Sequence, residues 1–108
     1  MEMGRETVEK MTKSQRHKRD VATLGCIVSR NMGYGYVPAE LHHPYGRKGF
    51  NKKWQMNNDD VVLPLSYMLH RSGVRNKIFV SRHPFKAEWV KRYGTEESLL
   101  QQVKELLK

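Results

Sequence analysis

Ala39-Glu40-Leu41-His42-His43-Pro44-Tyr45-Gly46-Arg47 sets two adjacent imidazoles at the end of a short apolar run, before Pro44 and Gly46 turn the chain into a basic loop. If Leu41 to His43 lie on a strand, consecutive side chains face opposite ways. One ring can then hold a metal while its neighbour faces a substrate. Two histidines alone carry no function, so the partners must come from the rest of the chain.

Outward from this stretch, Tyr36 to His43 reads as extended, with Pro38 favouring an edge or a strand start. Upstream, Gly25-Cys26-Ile27-Val28-Ser29 reads as a short strand, and Asn31 to Gly35 as a turn in which Gly33 and Gly35 can take positive φ. Downstream, Gly46 to Asp60 reads as a long loop. Val61-Val62-Leu63 follows as a strand stopped by Pro64. Leu65, Met68 and Leu69 fall at helical spacing, which predicts a helix starting near Pro64, carrying His70 and ending at Gly73. Lys77 to Val80 fits a further short strand or loop. Pro84 suits the first position of a helix with Phe85, Trp89 and Val90 on its apolar face, closed by Gly94. Thr95 then caps a last helix with Glu96 and Glu97 in its first turn and Leu99, Leu100, Val103, Leu106 and Leu107 along one side. Strands followed by helices give a small α+β domain.

The 108 residues suffice for one domain with a modest core. Mean hydropathy is −0.76, and no apolar run approaches the roughly 20 residues of a membrane span. The charged first residues lack the apolar core of a secretory signal, so a cytoplasmic, membrane-free protein is expected. Twenty Lys and Arg against eleven Asp and Glu leave +9. Such an excess on so small a domain points to a polyanionic partner, most often nucleic acid. Cys26 is the single cysteine, which excludes an intramolecular disulfide and a thiolate-rich zinc site.

The basic tract from Thr12 to Arg19 has no bulky apolar side chain, and residues 1–23, with Val8, Met11 and Val21 their main apolar positions, read as a basic helix or arm. Arg16, Lys18 and Arg19 there can lie along a phosphate backbone or simply be solvated. In the Gly46–Asp60 loop, Arg47, Lys48, Lys52 and Lys53 alternate with Phe50 and Trp54. Cations among aromatics suit nucleic acid, since the charges meet phosphates and the rings can stack on bases. Trp54 reads better as an anchor to the core.

His42, His43, His70 and His83 all sit at ends of elements, where side chains can converge. Singly each is an ordinary surface or capping histidine, and His83 can serve as the cap before Pro84. As a set, three imidazoles plus water fit a divalent ion with open positions for a phosphate oxygen. A fourth, unmetallated imidazole can take a proton from the attacking water of a phosphodiester hydrolysis.

In this order of residues the chain resembles the HNH endonucleases, the ββα-metal or His-Me finger nucleases. It is most similar to the phage type that includes RecA-dependent recombination-enhancement nucleases. The resemblance rests on Gly25-Cys26, Glu40-Leu41-His42-His43, Gly46-Arg47, Leu63-Pro64-Leu65, His70, and His83-Pro84-Phe85 through Arg92-Tyr93-Gly94 with Leu99-Leu100. It implies a ββα-metal nuclease domain over residues 24–108 behind a basic arm, with two C-terminal helices. It implies one divalent cation (Mg²⁺, Mn²⁺ or Zn²⁺) on His42, His70 and His83, and His43 as general base. An aspartate, Asp59 or Asp60, would orient that base, and either could instead replace His83 at the metal. DNA would be the partner, with a recombinase or another replication protein as recruiter. Where relatives carry a cysteine knuckle this chain has Cys26-Ile27-Val28-Ser29 and Pro64-Leu65-Ser66, so no structural zinc is expected. A catalytically silent nucleic-acid-binding accessory protein on the same fold is the alternative.

Overall fold

The computed structural model describes residues 11–108, so the expectations for the first ten residues, Val8 among them, lie outside the described residues. The basic tract is a helix, α1 (Lys13–Thr23). Its start is a capping box: Thr12 Oγ1 accepts from the Gln15 N–H, and the Gln15 side chain accepts from the Thr12 N–H. Val21, on its inner face, is fully buried in the common core.

Gly25 to Ser29 is not the expected strand. Ile27–Asn31 forms a short helix, α2, capped by the Cys26 Sγ, which accepts from the Ser29 N–H. Gly25 sets this up with φ +77°, and a Cβ there would fall 2.8 Å from the Val37 carbonyl oxygen. The Cys26 N–H donates to that same carbonyl at 2.8 Å. Two β-branched residues thus enter a helix because burial of Ile27 and Val28 outweighs their strand preference. Cys26 is a free cysteine buried in the core.

The chain is extended to β1 (Glu40–His42), which pairs antiparallel with β4 (Leu63–Leu65) in the register Glu40↔Leu65, Leu41↔Pro64 and His42↔Leu63. The second strand therefore runs through Pro64 rather than stopping at it. Both strands of a two-stranded ladder are edge strands, where proline is tolerated. Between the strands, the expected long loop holds a tight hairpin, β2 (Phe50–Asn51) with β3 (Met56–Asn57), and a 3₁₀ turn at Asn58–Asp60. The Asn58 amide ties this segment together by donating to the Tyr45 and Lys48 carbonyls.

Helix α3 (Tyr67–His70) starts at the Ser66 cap, not at Pro64, and ends before Gly73. Arg75 and Val80 form an isolated bridge. Pro84 does not open a helix: α4 begins later, at Lys86–Tyr93, with Gly94 as its stop. Thr95 caps α5 (Glu96–Leu106) as expected. All three β4 residues are buried, and β4 touches β1, α1, α2 and α5, so it is the hub of the core. Trp89, fully buried, brings α4 onto it. The result is a small α+β fold with two antiparallel sheets among the described residues, and none of those residues forms a helix long and apolar enough to cross a membrane.

Candidate metal centre and its base

Alternation along β1 puts Glu40 and His42 on one face, and Leu41 on the other. His42, 3% exposed, points inward from the strand end opposite Leu63. His70, the last residue of α3, meets it there, with His42 Nδ1 3.2 Å from His70 Nε2. His83 lies 13 residues further along the chain, yet the excursion between them closes back on itself. The Ser81 N–H donates to the Val74 carbonyl, the Arg82 N–H to Leu69 and the His83 N–H to His70, at 2.8, 2.8 and 2.9 Å. His83 is thereby fastened beside His70 and remains exposed, its ring centroid 5.3 Å from those of both His42 and His70. The three imidazoles offer ligand atoms within 4.8 Å of one another.

Two of these rings are held from behind by carboxylates. His42 Nε2 lies 2.5 Å from Glu96 Oε2, and His70 Nδ1 lies 2.6 Å from Glu40 Oε1. Each carboxylate has its own cation, Arg82 on Glu96 and Arg71 on Glu40. The Arg71 hydrogen bond keeps Glu40 below the ordinary carboxylate range. Burial pushes Glu96 up, but hydrogen bonds from His42 and Arg82 more than offset it and the group ends below that range. Burial depresses His42, His70 and His83, against partial opposition from Glu96 and Glu40 at the first two and with help from Arg82 at His83. The rings are therefore neutral at pH 7, the form that binds metals.

This protonation pattern tests whether a cation fits. Neutral rings that donate through His42 Nε2 and His70 Nδ1 to ionised carboxylates carry bare lone pairs on His42 Nδ1 and His70 Nε2. Those are the two atoms that face each other at 3.2 Å. Two lone pairs at that range repel unless a cation or a proton lies between them. The separation matches the roughly 3.3 Å edge of a tetrahedron with metal–nitrogen bonds of about 2.0–2.1 Å. The residues present fit a metal.

His43 follows His42 and turns the other way, its Nε2 3.1 Å from Asp59 Oδ1. Antiparallel pairing places the end of β1 beside the 3₁₀ turn that precedes β4, which brings the two together. Asp59 in turn receives Lys18 at 2.8 Å, whose hydrogen bond holds its carboxyl below the ordinary range. Of the two aspartates expected to orient the base, Asp59 touches His43, whereas Asp60 accepts from the Ser14 hydroxyl. Neither joins the three imidazoles, so the geometry favours His83 over them as the third ligand.

Sequence reasoning assigned no role to Glu40, Glu96, Arg71 or Arg82. Glu40 had a signal, since two residues before His42 on a strand means the same face. Glu96 had none: it reads as a first-turn glutamate and lies 54 residues from His42. Of the expected nucleic-acid contacts, Arg47, Lys48, Lys52 and Arg16 are exposed. Arg19 pairs with Asp20, and Lys53 pairs with Glu97 at 2.6 Å. Lys18 is turned inward to Asp59. Phe50 is 60% exposed, while Trp54 packs on the core under Lys104.

Compared with protein-family models, with curated proteins and with solved structures, the chain finds no match.

A pH dependence follows from the depressed imidazoles. The unfolded chain takes up protons near 6.5, while the folded chain resists doing so until lower pH. Stability is therefore whole above that range and falls as pH drops through it. Urea midpoints of the metal-free protein at about pH 7.5 and about pH 5.5 check this; the midpoint is expected to be lower at the acid value, and equal midpoints would contradict it.

Proposed function

We propose that the chain is a metal-dependent DNA endonuclease of the HNH, or His-Me finger, type, cutting the phosphodiester backbone without reading sequence. The observation that carries this reading is the convergence of His42, His70 and His83 beside the separate His43–Asp59 pair. It joins a cluster able to hold a cation to an imidazole left free for proton transfer. His42, His70 and His83 would hold the ion, which when bound supplies the positive charge that stabilises the phosphate and the leaving oxygen. An all-imidazole donor set suits zinc or another late first-row cation better than magnesium, which takes oxygen ligands.

The chain's own residues then divide the work. His43 Nδ1 has no side-chain partner among the described residues and accepts a proton from the attacking water. Its Nε2–H meanwhile donates to Asp59, which stabilises the charged ring that results. The water oxygen forms the new bond to phosphorus as the ester P–O bond breaks, and the departing oxygen takes its proton from solvent. Arg47, Lys48 and Lys52, exposed on the segment that follows His43, meet backbone phosphates and give affinity without sequence preference.

The test is nicking of a supercoiled plasmid by chelator-treated protein to which Zn²⁺, Mn²⁺ or Mg²⁺ is returned. No nicking is expected without metal, and restoration is expected with zinc ahead of magnesium. DNA that is bound but left intact with every metal would instead favour the accessory nucleic-acid-binding role.

A further inference from the structure

We infer, building on the nuclease reading, that α1 is a working part of the site and that Lys18 is a positioning residue for the base. Ser14, Lys18 and Val21 stand at i, i+4 and i+7, one stripe along the helix. Val21 anchors that stripe in the core. Ser14 donates to Asp60 and Lys18 to Asp59, so two consecutive turns of α1 hold two consecutive carboxylates of the 3₁₀ turn. The exposed cations of the tract, Lys13, Arg16 and Arg19, lie elsewhere on the helix. Lys18 is thus separated from them by direction as well as by partner.

The two Asp59 oxygens are divided between two partners. Oδ1 faces His43 Nε2 at 3.1 Å, and Oδ2 faces Lys18 Nζ at 2.8 Å. Without the ammonium, the carboxyl is free to rotate about its terminal torsion and Oδ1 leaves the imidazole. The ring then loses the hydrogen bond that keeps its proton on Nε2 and Nδ1 bare. Cation, carboxylate and imidazole recur in the same order at Arg82–Glu96–His42 and Arg71–Glu40–His70. For His43, unlike those two, the cation is supplied by α1. The Lys18 pair is partly open to solvent, so its contribution is to geometry far more than to stability.

Full-length wild type, Lys18→Met and Lys18→Arg, each zinc-loaded, separate this role from a phosphate contact. As a positioning residue, Lys18→Met lowers kcat for plasmid nicking about tenfold with KM and salt dependence of binding unchanged. Lys18→Arg restores it, and Lys18→Met adds nothing on an Asp59→Asn background. A raised KM with kcat intact, and a salt slope reduced by about one, is the signature of a phosphate contact and overturns the inference. A second readout is independent of cleavage. The ¹⁵N shifts of His43 report the Nε2–H tautomer in wild type and Lys18→Arg and a tautomer mixture in Lys18→Met. An unchanged tautomer in Lys18→Met overturns the positioning role even where no DNA is cut, so its failure is distinct from failure of the nuclease reading.

Discussion

Replacing His43 by alanine is expected, on the nuclease reading proposed above, to lower metal-supported plasmid nicking by about 10²–10⁴-fold, the range for a lost general base, and to leave metal affinity unchanged. His43 touches Asp59 and none of the three clustered imidazoles is bound to it, so its removal would take the proposed proton acceptor and spare the three rings proposed to hold the ion. Its side chain is mostly buried at the surface end of β1 and belongs to no part of the apolar core, so the fold survives the change. Zinc titration calorimetry on the same two proteins supplies the control. Equal nicking by wild type and His43→Ala would remove His43 from the mechanism. A parallel loss of zinc affinity would make it a ligand, contrary to its direction off the strand.

Glu96→Ala is expected to cost about 3–5 kcal/mol of folding stability, the range for removing one member of a buried ion pair. Glu96 is buried at the first turn of α5, bonded on one oxygen to His42 and on the other to Arg82. Arg82 is itself buried, and its Nε already lacks a partner. Deleting the carboxylate leaves a guanidinium enclosed without a counter-charge, while Lys86, 3.9 Å from the same carboxylate, adds a second positive charge nearby. The loss is large beside the roughly 5–15 kcal/mol that a domain of this kind holds in total. Zinc affinity should fall about 10–100-fold as well, because His42 loses the acceptor that fixes its tautomer. Urea unfolding of the metal-free protein measures the first effect, and calorimetry the second. A loss below about 1 kcal/mol would mean that Arg82 finds another partner.

Some of this fold is legible in the residues alone. The Thr95 cap, the Gly94 stop and the apolar stripe of the last helix are local signals, and local signals locate helices well when their period is long and regular. The short elements were less readable. Ile27 and Val28 have strand preference, but the Gly25 turn and the Cys26 cap fold them into a helix that buries both. Pro64 reads as a strand stop, yet a two-stranded ladder leaves it an open edge. Pro84 has the profile of a helix start, while the loop closure through Ser81, Arg82 and His83 moves the start to Lys86.

By itself, the sequence determined the inventory and much of its placement. It supplied four histidines at element ends, one unpaired cysteine, a cationic surface, and the His42–His43 step that sends neighbouring rings to opposite sides of a strand. Only the tertiary structure decided who meets whom. It brought His83 to His70 across 13 residues, chose Asp59 over Asp60 for His43, set Glu96 behind His42, and turned Lys18 away from solvent. The physical reason is that side-chain direction along one element follows from a local period. Contacts between elements depend instead on register, loop closure and the requirement that buried charges find partners, and no window of the sequence encodes these.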